Sequence, residues 1–187
     1  MERDILGLRP NQQQASSIKS LVHDAINRLE ERVASGGKIL GHATGLHDLD
    51  RLTDGVHGGE MIVVAGYTST GKTALSVGIA TTNALQSIPV AIFTAEMLPV
   101  QLVIRQLCST AGANSKRLME SDVTGLTVAA GRIAKAPIHI EPANGMTAGQ
   151  VIATARRLKQ KHGIKIIVVD YLQLLSGVGD NREQQIA

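Results

Sequence analysis

Aromatic residues make up 2% of the 187-residue chain: Tyr67, Phe93 and Tyr171, with no tryptophan. Three rings cannot furnish the stacking platforms on which OB-folds and RNA-recognition sheets hold bases. With 43% hydrophobic residues the core must instead be aliphatic. Cys108 is the single cysteine, which excludes an internal disulfide and suits a reducing compartment. The first residues, Met1-Glu2-Arg3-Asp4, are charged and no apolar segment follows, so the start does not read as a secretory signal. No apolar run approaches the length of a membrane span. These features predict a soluble, cytoplasmic protein with no membrane partner. The net charge of +3 permits a polyanionic partner without requiring one.

Periodicity divides the chain in two. Residues 1–40 read as a polar tail followed by an amphipathic helix over 16–34, in which Ile18, Leu21, Val22, Ala25, Ile26, Leu29 and Val33 share one stripe. Such a stripe must be covered, and its own domain and a neighbouring subunit are equally good covers on this evidence. From residue 41 to 187 strand and helix alternate. Strands are expected at Met61–Ala65, Val90–Thr94, Ile138–Ile140 and Lys165–Val169. Helices are expected at Thr73–Ser87, Pro99–Ala111, roughly 123–135, and Thr147–His162. Runs such as Ile-Ile-Val-Val do not alternate with polar residues, which marks strands of a mainly parallel sheet buried on both faces by helices. The fold class is α/β.

Gly66-Tyr67-Thr68-Ser69-Thr70-Gly71-Lys72-Thr73 fits G-x-x-x-x-G-K-[ST]. Its glycines allow the backbone to wrap a phosphate, with successive N–H groups turned inward and a helix N-terminus adding further donors. The nucleotide-binding residues are therefore Gly66, Thr68, Ser69, Thr70, Gly71, Lys72 and Thr73, with Lys72 reaching the β- and γ-phosphates of ATP and the Thr73 hydroxyl on Mg²⁺. The alternative is a glycine-rich turn without a ligand, but the apolar strand expected before the loop and the amphipathic helix after it are what phosphate binding requires. Asp170, ending the run Ile166-Ile167-Val168-Val169, supplies the second metal-binding group. Glu96, just past the second strand, is the candidate for activating water; the alternative is that it merely caps the helix that follows. His42, His47 and His57 match no metal motif and read as turn histidines. Arg156, Arg157, Lys159 and Lys161 form a basic helical patch, most simply a solvated face and otherwise a contact for nucleic acid.

Several of these strings resemble one family. Residues 44–55 (TGLHDLDRLTDG) resemble the segment before the first core strand of DnaB-type replicative helicases. Residues 69–73 resemble their phosphate loop, and Phe93-Thr94-Ala95-Glu96-Met97 their second motif. Asp170-Tyr171-Leu172-Gln173-Leu174 is close to the string around their metal-binding aspartate, and Asn181–Ile186 is similar to the start of the next helix. The resemblance implies a RecA-like P-loop NTPase preceded by a linker helix, with Glu96 as catalytic base. It implies a homo-hexamer in which that helix docks on the adjacent subunit. ATP hydrolysis would drive translocation on single-stranded DNA and duplex unwinding, with a primase or helicase loader as further partner. The loop 176–180 would face the ring centre. The chain stops at Ala187 without the family's later motifs, among them the glutamine that senses the γ-phosphate and the arginine supplied in trans. The sheet is accordingly expected to be incomplete at its C-terminal end, and the chain to be a fragment. Two rival readings are a non-helicase ATPase of the RecA or KaiC type, and a catalytically incomplete nucleotide-binding module acting on a helicase ring.

Overall fold

The computed structural model describes residues 17–170. They fall into two compact units, one ending at Leu40 and the other beginning at Gly41. In the first, α1 (Ile18–Ala34) starts at Ser17, whose side chain accepts a hydrogen bond from the Ser20 N–H, and gives way to the turn carrying Gly36 and Gly37. Its apolar stripe is open: Ile18 and Val33 are 77% and 83% exposed, and no residue of the helix is buried.

The second unit contains α2 (His47–Thr53), α3 (Lys72–Ala84), β1 (Val90–Thr94), α4 (Pro99–Ala111), α5 (Asp122–Ile133), β2 (Ile138–Pro142), α6 (Ala148–His162) and β3 (Ile166–Asp170). The strands form a parallel sheet in the order β2-β1-β3, with Thr94 opposite Pro142 on one side and Asp170 on the other. All five residues of β1 are buried, because each face of this central strand meets helices. Ala91 and Phe93 point to Val151, Ala155 and Leu158 of α6, whereas Val90 and Ile92 point to Val77, Ala80 and Ala84 of α3 and to Leu102 of α4. This two-sided burial is the reason the strand reads as a continuous apolar run. Several helix ends are set by local chemistry. Pro99 opens α4 and Gly112 closes it at φ 69°, while Thr147 and Gln150 form a reciprocal capping box on α6.

The strand expected at Met61–Ala65 does not form. The segment has no ladder partner among the described residues, and Met61 and Val63 are 84% and 66% exposed. Its composition suits a buried strand, but a strand exists only when a neighbouring edge takes up its N–H and C=O groups. The outer edge of β3 carries no such pairing among the described residues. Conversely, α2 was not expected from periodicity. It is held by Asp50, whose carboxylate accepts hydrogen bonds from the Thr44 N–H and hydroxyl, both at 2.7 Å, and from the Gly45 N–H at 3.2 Å. Burial raises the Asp50 pKa, but the bonds from Thr44 and Gly45, together with the charge of His47, outweigh it and hold the group below its ordinary value.

A groove of about 480 Å³ runs between α3 and α4, bordered by Ala74, Gly78, Thr82, Arg105 and Gln106. Nothing lies within 4 Å of the position a Cβ on Gly78 would take. Gly78→Ala therefore gains helix propensity without a clash. The expected result is a stabilisation of about 0.5–1 kcal/mol, read as a thermal midpoint raised by a few degrees.

At the far end of α6, the ring of His162 lies 4.1 Å from that of His139 on β2. Burial first, then the neighbouring His162 and Lys161, push the His139 pKa below its ordinary 6.5, against an opposing pull from Glu141. A histidine whose folded pKa is depressed binds fewer protons than in the unfolded chain. Its contribution to stability is thus complete above 6.5 and is lost as pH falls from there through the folded pKa. Unfolding midpoints are expected to decline over that window, and His139→Gln should flatten the decline.

Candidate nucleotide-binding site

The loop from Gly66 to Gly71 joins the Met61–Ala65 segment to α3. Two conformations set its shape: Ser69 at φ 64° and Gly71 at φ 95°, both left-handed, with Gly71 immediately before the first residue of the helix. A Cβ on Gly66 would stand 2.9 Å from Thr70 Oγ1, so any side chain there would have to displace that hydroxyl. That hydroxyl donates to the Tyr67 carbonyl at 2.7 Å. Lys72 Nζ curls back into its own loop, donating to the carbonyls of Gly66 at 2.9 Å and Tyr67 at 2.8 Å. Gly66, Tyr67, Thr68, Ser69, Thr70 and Gly71 are all exposed, and the side chain of Tyr67 stands out at 89%.

Thr73, in the first turn of α3, donates from its hydroxyl to Asp170 Oδ1 at 3.1 Å. The two are 97 residues apart in sequence and meet because α3 packs over β1 and β3. Asp170 is buried, and its second oxygen, Oδ2, has no hydrogen-bond partner among the described residues. A buried carboxylate oxygen left without a donor is costly. A hard divalent cation, which prefers oxygen ligands, is the group this pair of residues fits.

The next strand end is tied to the same place. Beside Asp170 in the sheet, Thr94 closes β1, and the Ala95 N–H donates to the Asp170 carbonyl at 2.8 Å. Glu96 follows on the exposed turn before α4. The structure thus brings Thr73 and Asp170 into contact and places Glu96 two residues beyond the strand that pairs with Asp170. It assigns Glu96 no capping bond on α4, whose N-cap position is Leu98. Asp50 and Asn83 are among the buried polar residues of this unit that residue patterns did not single out; Asn83 donates from its side chain to the Ala43 carbonyl at 2.7 Å. Each bonds mainly to backbone, which leaves no pairwise signature in a sequence; for Asp50 the only trace was its place in the 44–55 string.

His57 lies 3.6 Å from Asp54, and His47 lies 3.8 Å from Asp48. No group of three or more His, Cys, Asp or Glu side chains among the described residues is placed to hold a metal. Arg156, Arg157, Lys159 and Lys161 are all exposed, and the two lysines occupy the last turn of α6, where positive charge favours the helix dipole. Residues 171–187, which include Tyr171–Leu174, the 176–180 loop and 181–186, lie outside the described residues.

A parallel sheet flanked by helices, with a phosphate loop feeding a helix and an aspartate at a strand's carboxyl end, defines a RecA-like P-loop nucleotide-binding domain. A family model described as the DnaB-like helicase C terminal domain matches residues 41–187, and the chain belongs to that family. It is 36% identical over 188 residues to the replicative DNA helicase DnaC of Bacillus subtilis, covering 96% of this chain and 41% of that protein. It is also 36% identical over 180 residues to the replicative DNA helicase DnaB of Geobacillus stearothermophilus, covering 91% and 40%. Among solved structures it is similar to an ATPase domain, with a TM-score of 0.79 and 25% identity over 92% of this chain and 64% of that one. It is likewise similar to a DnaB-like replicative helicase solved for its interactions with primase, with a TM-score of 0.77 over 92% of this chain and 43% of that one. The chain spans about two fifths of the length of these two curated relatives. No helix among the described residues is long and apolar enough to cross a membrane.

Proposed function

We propose that this chain is the ATP-hydrolysing motor region of a replicative DNA helicase. The observation that carries the reading is the Thr73–Asp170 contact with its orphaned carboxylate oxygen, set at the mouth of the phosphate loop. In this reading ATP is the substrate. The loop N–H groups and the start of α3 cradle its phosphates, and Lys72 leaves the Gly66 and Tyr67 carbonyls to pair with the β- and γ-phosphates. Thr73 and Asp170 hold Mg²⁺, which when bound offsets the negative charge of the phosphates. Glu96 takes a proton from the attacking water.

The family and the relatives' names support carrying the cycle further, to movement along single-stranded DNA and strand separation in the cytoplasm. A homo-hexamer, in which α1 of residues 1–40 docks its open stripe on a neighbouring copy of the 41–187 domain, belongs to the same reading, as does a primase or loader as partner. A second reading is a nucleotide-binding module that joins a helicase ring without turnover of its own. It is favoured by the outer edge of β3, unpaired among the described residues, and by the exposed Met61–Ala65 segment.

The two separate in one experiment: ATP turnover by the purified chain across a range of protein concentrations, with and without single-stranded DNA. Specific activity that climbs with concentration and with DNA supports the motor. Tight nucleotide binding without turnover, and altered turnover when the chain is mixed with an intact ring, supports the module.

A further inference from the structure

We infer that Thr94 is the positioning residue for Glu96; the inference rests on the proposed role of Glu96 as base. Thr94 is 1% exposed at the end of β1, and by strand alternation it shares the face of Val90 and Ile92 that packs on α3 and α4. A buried hydroxyl on that apolar face needs partners. It finds both in the turn that carries Glu96: Thr94 Oγ1 donates to the Met97 carbonyl at 2.8 Å and accepts from the Met97 N–H at 3.3 Å. One side chain therefore closes Ala95-Glu96-Met97 into a ring against the strand end. The backbone around it is fixed from two further directions. The Ala95 N–H bonds the Asp170 carbonyl at 2.8 Å, and the Thr94 carbonyl accepts from the Ala143 N–H at 2.8 Å.

These contacts give the turn a function beyond linking a strand to a helix. Glu96 is exposed, and no packing of its own fixes it. Its location relative to the metal-binding aspartate is set by the backbone on either side. On the strand side that backbone is pinned to Asp170 through Ala95; on the helix side, the Met97 peptide is held by both bonds of the Thr94 hydroxyl. A general base must stand within hydrogen-bond reach of its water, and a shift of about 1 Å can cost roughly a hundredfold in rate. Thr94 is buried and its hydroxyl is engaged by Met97, so its effect is exerted through Glu96.

Thr94→Val keeps the shape and the strand propensity and removes only the hydroxyl; Thr94→Ser keeps the hydroxyl. Steady-state ATP turnover is to be measured for the full chain, both variants, Glu96→Gln, and the Thr94→Val/Glu96→Gln pair. Amide exchange at Met97 is measured in parallel. The expected result is a kcat lowered about 10- to 100-fold in Thr94→Val with KM unchanged, near-normal turnover in Thr94→Ser, and a double variant no slower than Glu96→Gln alone. Unchanged kcat in Thr94→Val, or equal losses in the valine and serine variants, would overturn the inference. Substantial turnover in Glu96→Gln would instead overturn the role of Glu96 itself. If the chain shows no turnover, Met97 decides: faster exchange in Thr94→Val alone supports the positioning role, and equal exchange in all three chains overturns it.

Discussion

Glu96→Gln is expected to reduce ATP turnover by about 10²- to 10⁴-fold while nucleotide affinity stays within a few fold of the original. Glutamine matches the side chain in size and hydrogen-bonding reach but cannot accept a proton. The affected step is the removal of a proton from water, which has no counterpart in the binding equilibrium. Folding should be indifferent, because Glu96 is exposed and caps no helix. Titration with a fluorescent ATP analogue beside a phosphate-release assay separates the two quantities. Loss of affinity equal to the loss of turnover would place Glu96 in binding rather than in chemistry.

Lys72→Ala is expected to lose nucleotide affinity by at least tenfold and turnover altogether. A charge-assisted hydrogen bond contributes roughly 1.5–3 kcal/mol, and about 1.4 kcal/mol is a factor of ten. The ammonium bonds two carbonyls of the loop, so pairing with phosphate oxygens exchanges these contacts for stronger ones. Removing the side chain has a second effect, since the Gly66 and Tyr67 carbonyls lose the cation that gathers them. Part of the lost affinity should therefore appear as a looser loop in the free protein. Faster amide exchange across residues 66–71 without nucleotide would register it. Unchanged affinity for ATP in this variant would exclude the loop as the phosphate site.

How far these residues could be anticipated depended on what kind of interaction fixes each. The shape of the Gly66–Thr73 loop was legible because glycines mark close approach and left-handed backbone, and Gly66 and Gly71 are where these fall. The central strand was legible because burial on both faces writes an unbroken apolar run. The same reasoning failed at Met61–Ala65, where the residues suit a strand but pairing depends on an edge supplied by another segment. Asp170 and Thr73 were expected to share a metal, and the geometry adds the direct bond and the orphaned oxygen, which no spacing encodes. Thr94 and Asp50 show in the sequence only as members of longer strings and Asn83 not at all, since each acts by bonding backbone groups whose positions only the fold determines.

The prominence of Tyr67 has an optical consequence. Tryptophan is absent, so no indole masks or drains the emission of the two phenols, Tyr67 and Tyr171. Tyr67 projects into solvent from the phosphate loop itself, with its carbonyl gripped by Lys72. Any ligand that pulls Lys72 away must disturb the residue that carries this ring. Excited in the near ultraviolet, the unlabelled protein should change its fluorescence as the loop fills, and Tyr67→Phe should remove that signal while the loop still fills.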